Sequence, residues 1–182
     1  MSGHNKWSKI KRKKEVADAE KSKVFSKYAS LIAVESRKAK GNLASPGLAA
    51  VIERAKKDHM PKENIDRAVQ KGAGAEGSSL SEVLYETYGP GGVAILITAV
   101  TDNPNRTTPE IRHTLSKQGY ALGAAGSALW AFQKTGDGYV PTAPIALSDA
   151  DGEKLANLVE ALEENDDVQD IYTTADEAEL PE

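Results

Sequence analysis

An α+β fold in two parts is what this chain of 182 residues predicts, on three observations. Up to Gly72 the apolar residues recur at three- and four-residue steps, the period of helices packed through one face. Gly72-Ala73-Gly74-Ala75-Glu76-Gly77-Ser78-Ser79 then reads as a flexible linker. Beyond it the period shortens to two, and strands and helices follow in the order of an antiparallel α/β sandwich. At 40% apolar residues the chain can bury one sizeable core or two small ones. The expected boundaries are a basic flexible arm at 1–14, a three-helix basic domain at 15–74, a linker at 75–80, an α+β domain at 81–175 and an acidic tail at 176–182.

The arm, MSGHNKWSKIKRKK, holds six cations (Lys6, Lys9, Lys11, Arg12, Lys13, Lys14), with Trp7 and Ile10 among them and no acid. Cations spaced along a flexible segment release counterions from a phosphate backbone, and an interleaved indole can stack on an unpaired base. A solvated tail that aids solubility is the plainer reading of the same residues. The net charge of −4 conceals a strong asymmetry. Residues 1–74 carry 18 Lys+Arg against 8 Asp+Glu, and residues 75–182 carry 5 against 19. A phosphate polymer is drawn to one end of the chain and repelled by the other.

From Glu15 to Ala39, Val24, Tyr28, Leu31 and Ile32 form the apolar stripe of a first helix, with Lys21, Lys23 and Lys27 on its other faces. Lys40-Gly41-Asn42 closes it. Ser45 is the expected N-cap of a second helix, with Pro46 at the first helical position and Leu48, Val51, Ile52 and Ala55 facing inward. A third runs from Pro61 through Ile65, Ala68 and Val69 to Gly72, expected as a left-handed C-terminal glycine. Helices this short are marginal alone, so their apolar faces must meet. Helix, turn, helix is also the grammar of a DNA reader, but the third helix offers only Asn64, Arg67 and Gln70 as base readers.

In the second part, Val83 to Tyr88 alternates, Gly89-Pro90-Gly91-Gly92 turns the chain, and Val93 to Val100 is a nearly continuous apolar run, together a hairpin whose second strand lies inside a sheet. A helix is expected from Thr108-Pro109 to Gly119, strands at Ala128 to Phe132 and Tyr139 to Leu147, and the latter at an edge because of Pro141 and Pro144. Ser148 with Asp151 forms a capping box for a last helix through Leu155, Leu158, Val159 and Leu162, and Val168 to Thr173 closes the sheet. Strand, helix, strand, strand, helix, strand is the ferredoxin-like order, here with one extra leading strand.

Several classes of function find no support. There is no cysteine, hence no disulfide, thiol nucleophile or cysteine-ligated metal. His4, His59 and His113 are scattered without metal-ligand spacing, and no serine sits in a nucleophile elbow. The glycine-rich linker lacks the Gly-Lys-Ser/Thr of a phosphate loop. No catalytic residue, metal site, cofactor or small-molecule substrate is therefore assigned, although Asp102, His113 and Glu86 could converge in an acid–base site. With no apolar segment of signal-peptide or membrane-span length, a cytoplasmic protein without membrane partner is expected.

Gly3-His4, Lys6-Trp7, Met60-Pro61-Lys62, Tyr85-Glu86, Tyr88 to Ala94, Thr101-Asp102-Asn103, Asn105-Arg106-Thr107, Glu110, Arg112-His113, Leu122-Gly123 and Gly126-Ser127 together give the chain a family likeness. It resembles the YebC family of bacterial and organellar proteins over most of residues 1–133, and again in the final helix and Asp166 to Gln169. It departs in lacking the α/β domain usually inserted between the strand near Phe132 and that helix.

The resemblance implies a non-enzymatic factor that binds nucleic acid, either a promoter-binding transcriptional regulator or a ribosome-binding translation factor that relieves stalling on proline-rich stretches. The residues favour rRNA, whose folded surface offers phosphates and unstacked bases, over a long duplex that an acidic domain would repel. His4, Lys6, Trp7, Lys9, Lys11, Arg12, Lys13 and Lys14, with Lys21, Lys23 and Lys27, are the expected contacts. Asn103, Arg106, Arg112 and His113 form a second candidate surface, with helix capping and pairing to Glu110 or Glu86 as their structural alternative. Gly89, Pro90, Gly91 and Gly92 make a tight turn that could also let a backbone approach RNA closely.

Overall fold

The computed structural model describes residues 18–74, 80–136 and 138–176, so the arm, most of the linker and the tail beyond residue 176 lie outside the described residues. The described residues divide into two compact units, one of residues 18–74, 80–82 and 100–104, the other of residues 83–99, 105–136 and 138–176.

The first unit is helical: α1 (Asp18–Lys38), α2 (Pro46–Lys57) and α3 (Lys62–Ala73). Their apolar faces meet in a core of Tyr28, Ile32, Leu48, Val51, Ala55, Met60, Ile65 and Ala68. The helical period places this core correctly, with one slip. Val24 is exposed, and its neighbour Phe25 packs against the core instead. Lys40 and Gly41 turn the chain with positive φ of 50° and 75°. Ser45 is the N-cap residue of α2 and Pro46 opens it, but the serine side chain makes no capping bond.

Gly72 corrects the expected cap. It lies inside α3 and is buried there, while Gly74 is the C-cap. A Cβ at Gly72 would overlap the Ala33 carbonyl oxygen and lie 2.8 Å from Ser36 Cβ. The glycine is there because α1 and α3 approach backbone to backbone, and Ser36 Oγ donates to Val69 O at 2.7 Å across the same contact.

The second unit holds β1 (Ser81–Tyr88), β2 (Ala94–Thr101), α4 (Pro104–Lys117), β3 (Phe132–Thr135), β4 (Gly138–Pro141), α5 (Asp149–Glu163) and β5 (Val168–Thr173), with some strand and helix ends counted to the first. One sheet has the order β1-β2-β5, and β3 and β4 form a separate two-stranded sheet. The connection from Gly89 to Val93 is too short for a crossover, so β1 and β2 are an antiparallel hairpin. β2 and β5 are antiparallel, pairing Ile95 with Thr173 and Ile97 with Ile171. Ile95, Ile97 and Ala99 face α4 and α5 through Ile111, Leu115, Leu155, Leu158 and Leu162. Ala94 and Leu96 face the other way, under Ala128, Ala131 and Phe132. Both faces of β2 are thus covered, which is why its sequence is apolar without alternation.

The α+β class holds, while the strands are shared between two sheets instead of forming one ferredoxin-like sheet. Residues 129–131 coil into a 3-10 turn, leaving β3 only Phe132–Thr135, and Pro141 ends β4. Too short to extend the main sheet, this ribbon packs over it through Phe132 and through Tyr139, whose ring meets Tyr172 edge-on at 5.3 Å. α4 also starts earlier than expected, at Pro104, so Pro109 lies inside the helix. Asn103 N donates to Thr101 Oγ1 just before it. The expected capping box of α5 is present: Asp151 N donates to Ser148 Oγ at 3.2 Å and the hydroxyl donates back to the Asp151 carboxylate.

Candidate nucleic-acid interface

In the helical unit, Ser22, Ser26, Ala29, Ser30 and Ala33 repeat along one face of α1, and their small size opens a groove against Asn64, Ala68 and Lys71 of α3. It holds about 620 Å³, with Phe25, Met60 and Leu80 as apolar lining and Lys21, Arg67 and Lys71 as its cations. Arg67 is held in place by Asn64, whose carboxamide oxygen accepts from the guanidinium, and by the Glu63 carbonyl. Serine hydroxyls can bond sugar or phosphate oxygens, and the three cations can neutralise phosphates at the rim.

Of the sequence-predicted contacts on α1, only Lys21 lines this groove. Lys23 and Lys27 are half-buried, four residues apart on another face, so the structure does not gather the three lysines into one patch. The arm contacts His4, Lys6, Trp7, Lys9, Lys11, Arg12, Lys13 and Lys14 lie outside the described residues. Lys71 is the groove cation that sequence reasoning missed, and Arg67 it noted only as a base reader. Their spacing of four residues on α3 was the available signal. Lys38, by contrast, is occupied: it bonds Glu35 and Glu82 at 2.8 and 2.7 Å. Burial pulls its pKa down, but these two carboxylates prevail and hold it above the ordinary lysine value.

The second candidate surface is dispersed. Arg106 pairs with Asp167 at 2.9 Å and lies 4.0 Å from Glu110, and Thr107 Oγ1 donates to the same Asp167 carboxylate at 2.6 Å. Asn165 Nδ2 donates to Glu110, so the start of α4 is tied to the turn before β5. Arg112 and His113 are exposed on α4. His113, seven residues from Arg106, shares its face, and Arg112 does not. Asn103 groups with the helical unit. The Gly89–Gly92 turn has a structural account: Gly91 and Gly92 have φ of 64° and 78°, and Gly91 faces the Leu147 side chain. Only Gly92 has open space where a side chain would be.

Among the described residues Glu86 pairs with no cation, and its carboxylate is bound by backbone instead, which differs from both roles considered for it. Only 4% exposed, it accepts backbone N–H bonds from Gly126 at 2.6 Å and from Ala128 and Leu129 at 2.7 Å each. Burial pushes its carboxyl up, but the three N–H dipoles outweigh burial and hold it below the ordinary glutamate value. The loop from Gly123 to Leu129 is therefore wrapped around a fixed anion. Gly123 N also donates to Glu86 O at 2.7 Å, and Thr87 Oγ1 to Ala121 O at 2.7 Å. Trp130, which sequence reasoning passed over as part of a strand, stands 71% exposed at the end of this loop.

A helical unit with a cationic groove, followed by an α+β unit with an acidic exterior, defines a two-part architecture, and comparison with known proteins gives it a family. The TACO1/YebC protein N-terminal domain matches residues 5–75, and the TACO1/YebC second and third domain matches 80–137 and 137–175. The chain belongs to the TACO1/YebC family. A probable transcriptional regulatory protein of Fervidobacterium nodosum is 35% identical over 243 residues, covering 99% of this chain and 96% of that protein. One from Thermotoga maritima is 50% identical over 138 residues, covering 75% of this chain and 54% of that protein. A crystal structure of a conserved hypothetical protein, Aq1575 from Aquifex aeolicus, superposes with a TM-score of 0.81 at 32% identity, covering 94% of this chain and 97% of that one. Aligning 243 positions against 182 residues leaves the difference as gaps in this chain, the short form of the family.

Proposed function

We propose that this chain is a non-enzymatic, nucleic-acid-binding regulator of gene expression whose target is rRNA on the ribosome, where it acts in the cytoplasm as a translation factor relieving stalling on proline-rich segments. The observation that carries the reading is charge separation along the chain. The arm and the three-helix domain hold 18 of the 23 Lys+Arg residues, while residues 75–182 carry 19 acids against 5 cations. Phosphates engage the arm and the groove cations Lys21, Arg67 and Lys71, and Trp7 stacks on an unpaired base. Folded RNA allows this because it offers phosphates and splayed bases at one place. The name of these relatives, probable transcriptional regulatory protein, supports the broader reading and favours a second one, DNA binding in transcription.

Cosedimentation with ribosomes over a salt series, beside a matched duplex-DNA titration, separates the two. With about six phosphate contacts, log affinity falls against log salt with a slope of about −4 to −5 on either polymer, so the affinities decide. Saturable ribosome binding with only weak, nonselective DNA binding is the expected result. Selective binding to particular DNA sequences would return the protein to transcription. Changing Lys11, Arg12, Lys13 and Lys14 together to Ala is expected to abolish ribosome binding with the fold intact, and unchanged binding in that variant removes the arm from the interface.

A further inference from the structure

The sixteen residues between Lys117 and Lys134 carry no charged side chain, in a chain whose composition is 27% charged. Most of them are exposed, so burial does not explain their neutrality. At the end of this stretch Trp130, Tyr88 and Leu129 are exposed by 71%, 40% and 36%. The indole is fixed: Nε1 lies 3.0 Å from Tyr88 Oη and 2.9 Å from Ser127 O, and Tyr88 Oη donates to Ser127 O at 2.6 Å. Its one donor is thus already used within the protein, and what the ring offers a partner is its face. The Glu86 carboxylate holds the backbone beneath, so little ordering remains to be done when a partner binds.

We propose that Trp130, with Tyr88 and Leu129, is a docking site for a basic protein segment that lays an arginine guanidinium on the indole face. Three features select this occupant. A cation is attracted to an aromatic face most strongly at tryptophan, and guanidinium also stacks on it as a plane. The loop contains no lysine or arginine that could hold a phosphate or compete for the ring, and the charge it wraps around is the buried Glu86 carboxylate of β1, which attracts a cation and repels a phosphate. Residues 75–182, the part of the chain to which the loop belongs, carry 19 acids against 5 cations, and this net charge attracts a basic partner and disfavours a nucleic acid. This inference does not depend on which nucleic acid the other end of the chain binds.

The test uses the full chain with Trp7→Phe, which leaves Trp130 as the sole fluorophore of its kind among the two tryptophans. It is titrated with a flexible peptide of alternating arginine and glycine, with the lysine counterpart, and with a single-stranded RNA oligonucleotide. A saturable change in Trp130 fluorescence with the arginine peptide, several-fold weaker with lysine, is expected. By calorimetry Trp130→Ala weakens the arginine peptide by about three- to tenfold, and Trp130→Phe falls between. Equal binding of the two peptides, untouched by Trp130→Ala, reduces the effect to net charge and overturns the proposal. A saturable response to RNA but not to the arginine peptide gives the ring to a nucleobase. Self-association lost in Trp130→Ala gives the patch to a second copy of this chain. Either result overturns the proposal as well.

Discussion

Replacing Glu86 by glutamine removes one oxygen and the charge while keeping the shape of the side chain. In the wild type Oε1 accepts from Gly126 N, and Oε2 accepts from both Ala128 N and Leu129 N. The amide keeps two of these bonds if its oxygen takes the Oε2 position, and its NH2 then faces the Gly126 N–H, donor against donor. One bond to a charged group is lost, at about 1.5–3 kcal/mol, and a buried donor is left without an acceptor, while the neutral amide is cheaper to bury than the carboxylate. The net expectation is a loss of about 2–4 kcal/mol. Urea unfolding followed by Trp130 fluorescence in the Trp7→Phe background measures it, and hydrogen exchange at Gly126, Ala128 and Leu129 localises it. A loss under about 0.5 kcal/mol with unchanged amide protection would refute the anchoring role. The pH dependence gives an independent check. Because folding lowers the Glu86 pKa, its contribution is complete above the ordinary glutamate value and drains away as pH falls through the lower folded value. Glutamine does not titrate, so the gap between wild type and Glu86→Gln narrows in acid. A gap that stays constant from neutral pH into acid means that the charge is not the source.

Gly72→Ala sets two effects against each other. Helix propensity alone favours alanine by about 0.5–1 kcal/mol, but the new methyl overlaps the Ala33 carbonyl oxygen, and overpacking against backbone costs about 1–3 kcal/mol. A net destabilisation in urea is expected, and a more stable variant would show that α1 and α3 are not in backbone contact. Ser148→Ala is expected to cost about 1 kcal/mol, because its hydroxyl accepts from Asp151 N, whereas Ser45→Ala, whose side chain makes no cap bond, costs only a few tenths. Equal losses at the two serines in parallel denaturation curves would contradict this difference.

What the chain states about itself locally, it states well. The periods of α1 to α3, the buried run of β2, the Ser148 cap and the strand Val168–Thr173 follow from side-chain spacing and from backbone groups a few residues apart. The slips share one origin. Gly72 looks like a helix terminator because glycine usually is one near such a point, and only the proximity of Ala33, far away in sequence, shows the other reason for it. Residues 128–132 look like a strand by composition, yet Glu86, some forty residues earlier, draws the N–H groups of Ala128 and Leu129, and of Gly126 just before them, onto its carboxylate, and residues 129–131 coil into a 3-10 turn. Thr108-Pro109 reads as the helix opening, yet the helix begins at Pro104, where Thr107 and Arg106 in its first turn bond Asp167, far away in sequence.

The candidate sites divide in the same way. Charge is additive along a sequence, so the basic first part and the acidic second part are determined by composition alone, while the family likeness is carried by short sequence motifs. Which cations share a surface is not additive. Lys21 joins Arg67 and Lys71 only because small residues on α1 leave a groove beside α3, and Lys23 and Lys27 are turned from it by the helical twist. The exposed face of Trp130 was decided by tertiary structure as well, since only contacts between residues distant in the chain determine which side of an indole is left uncovered.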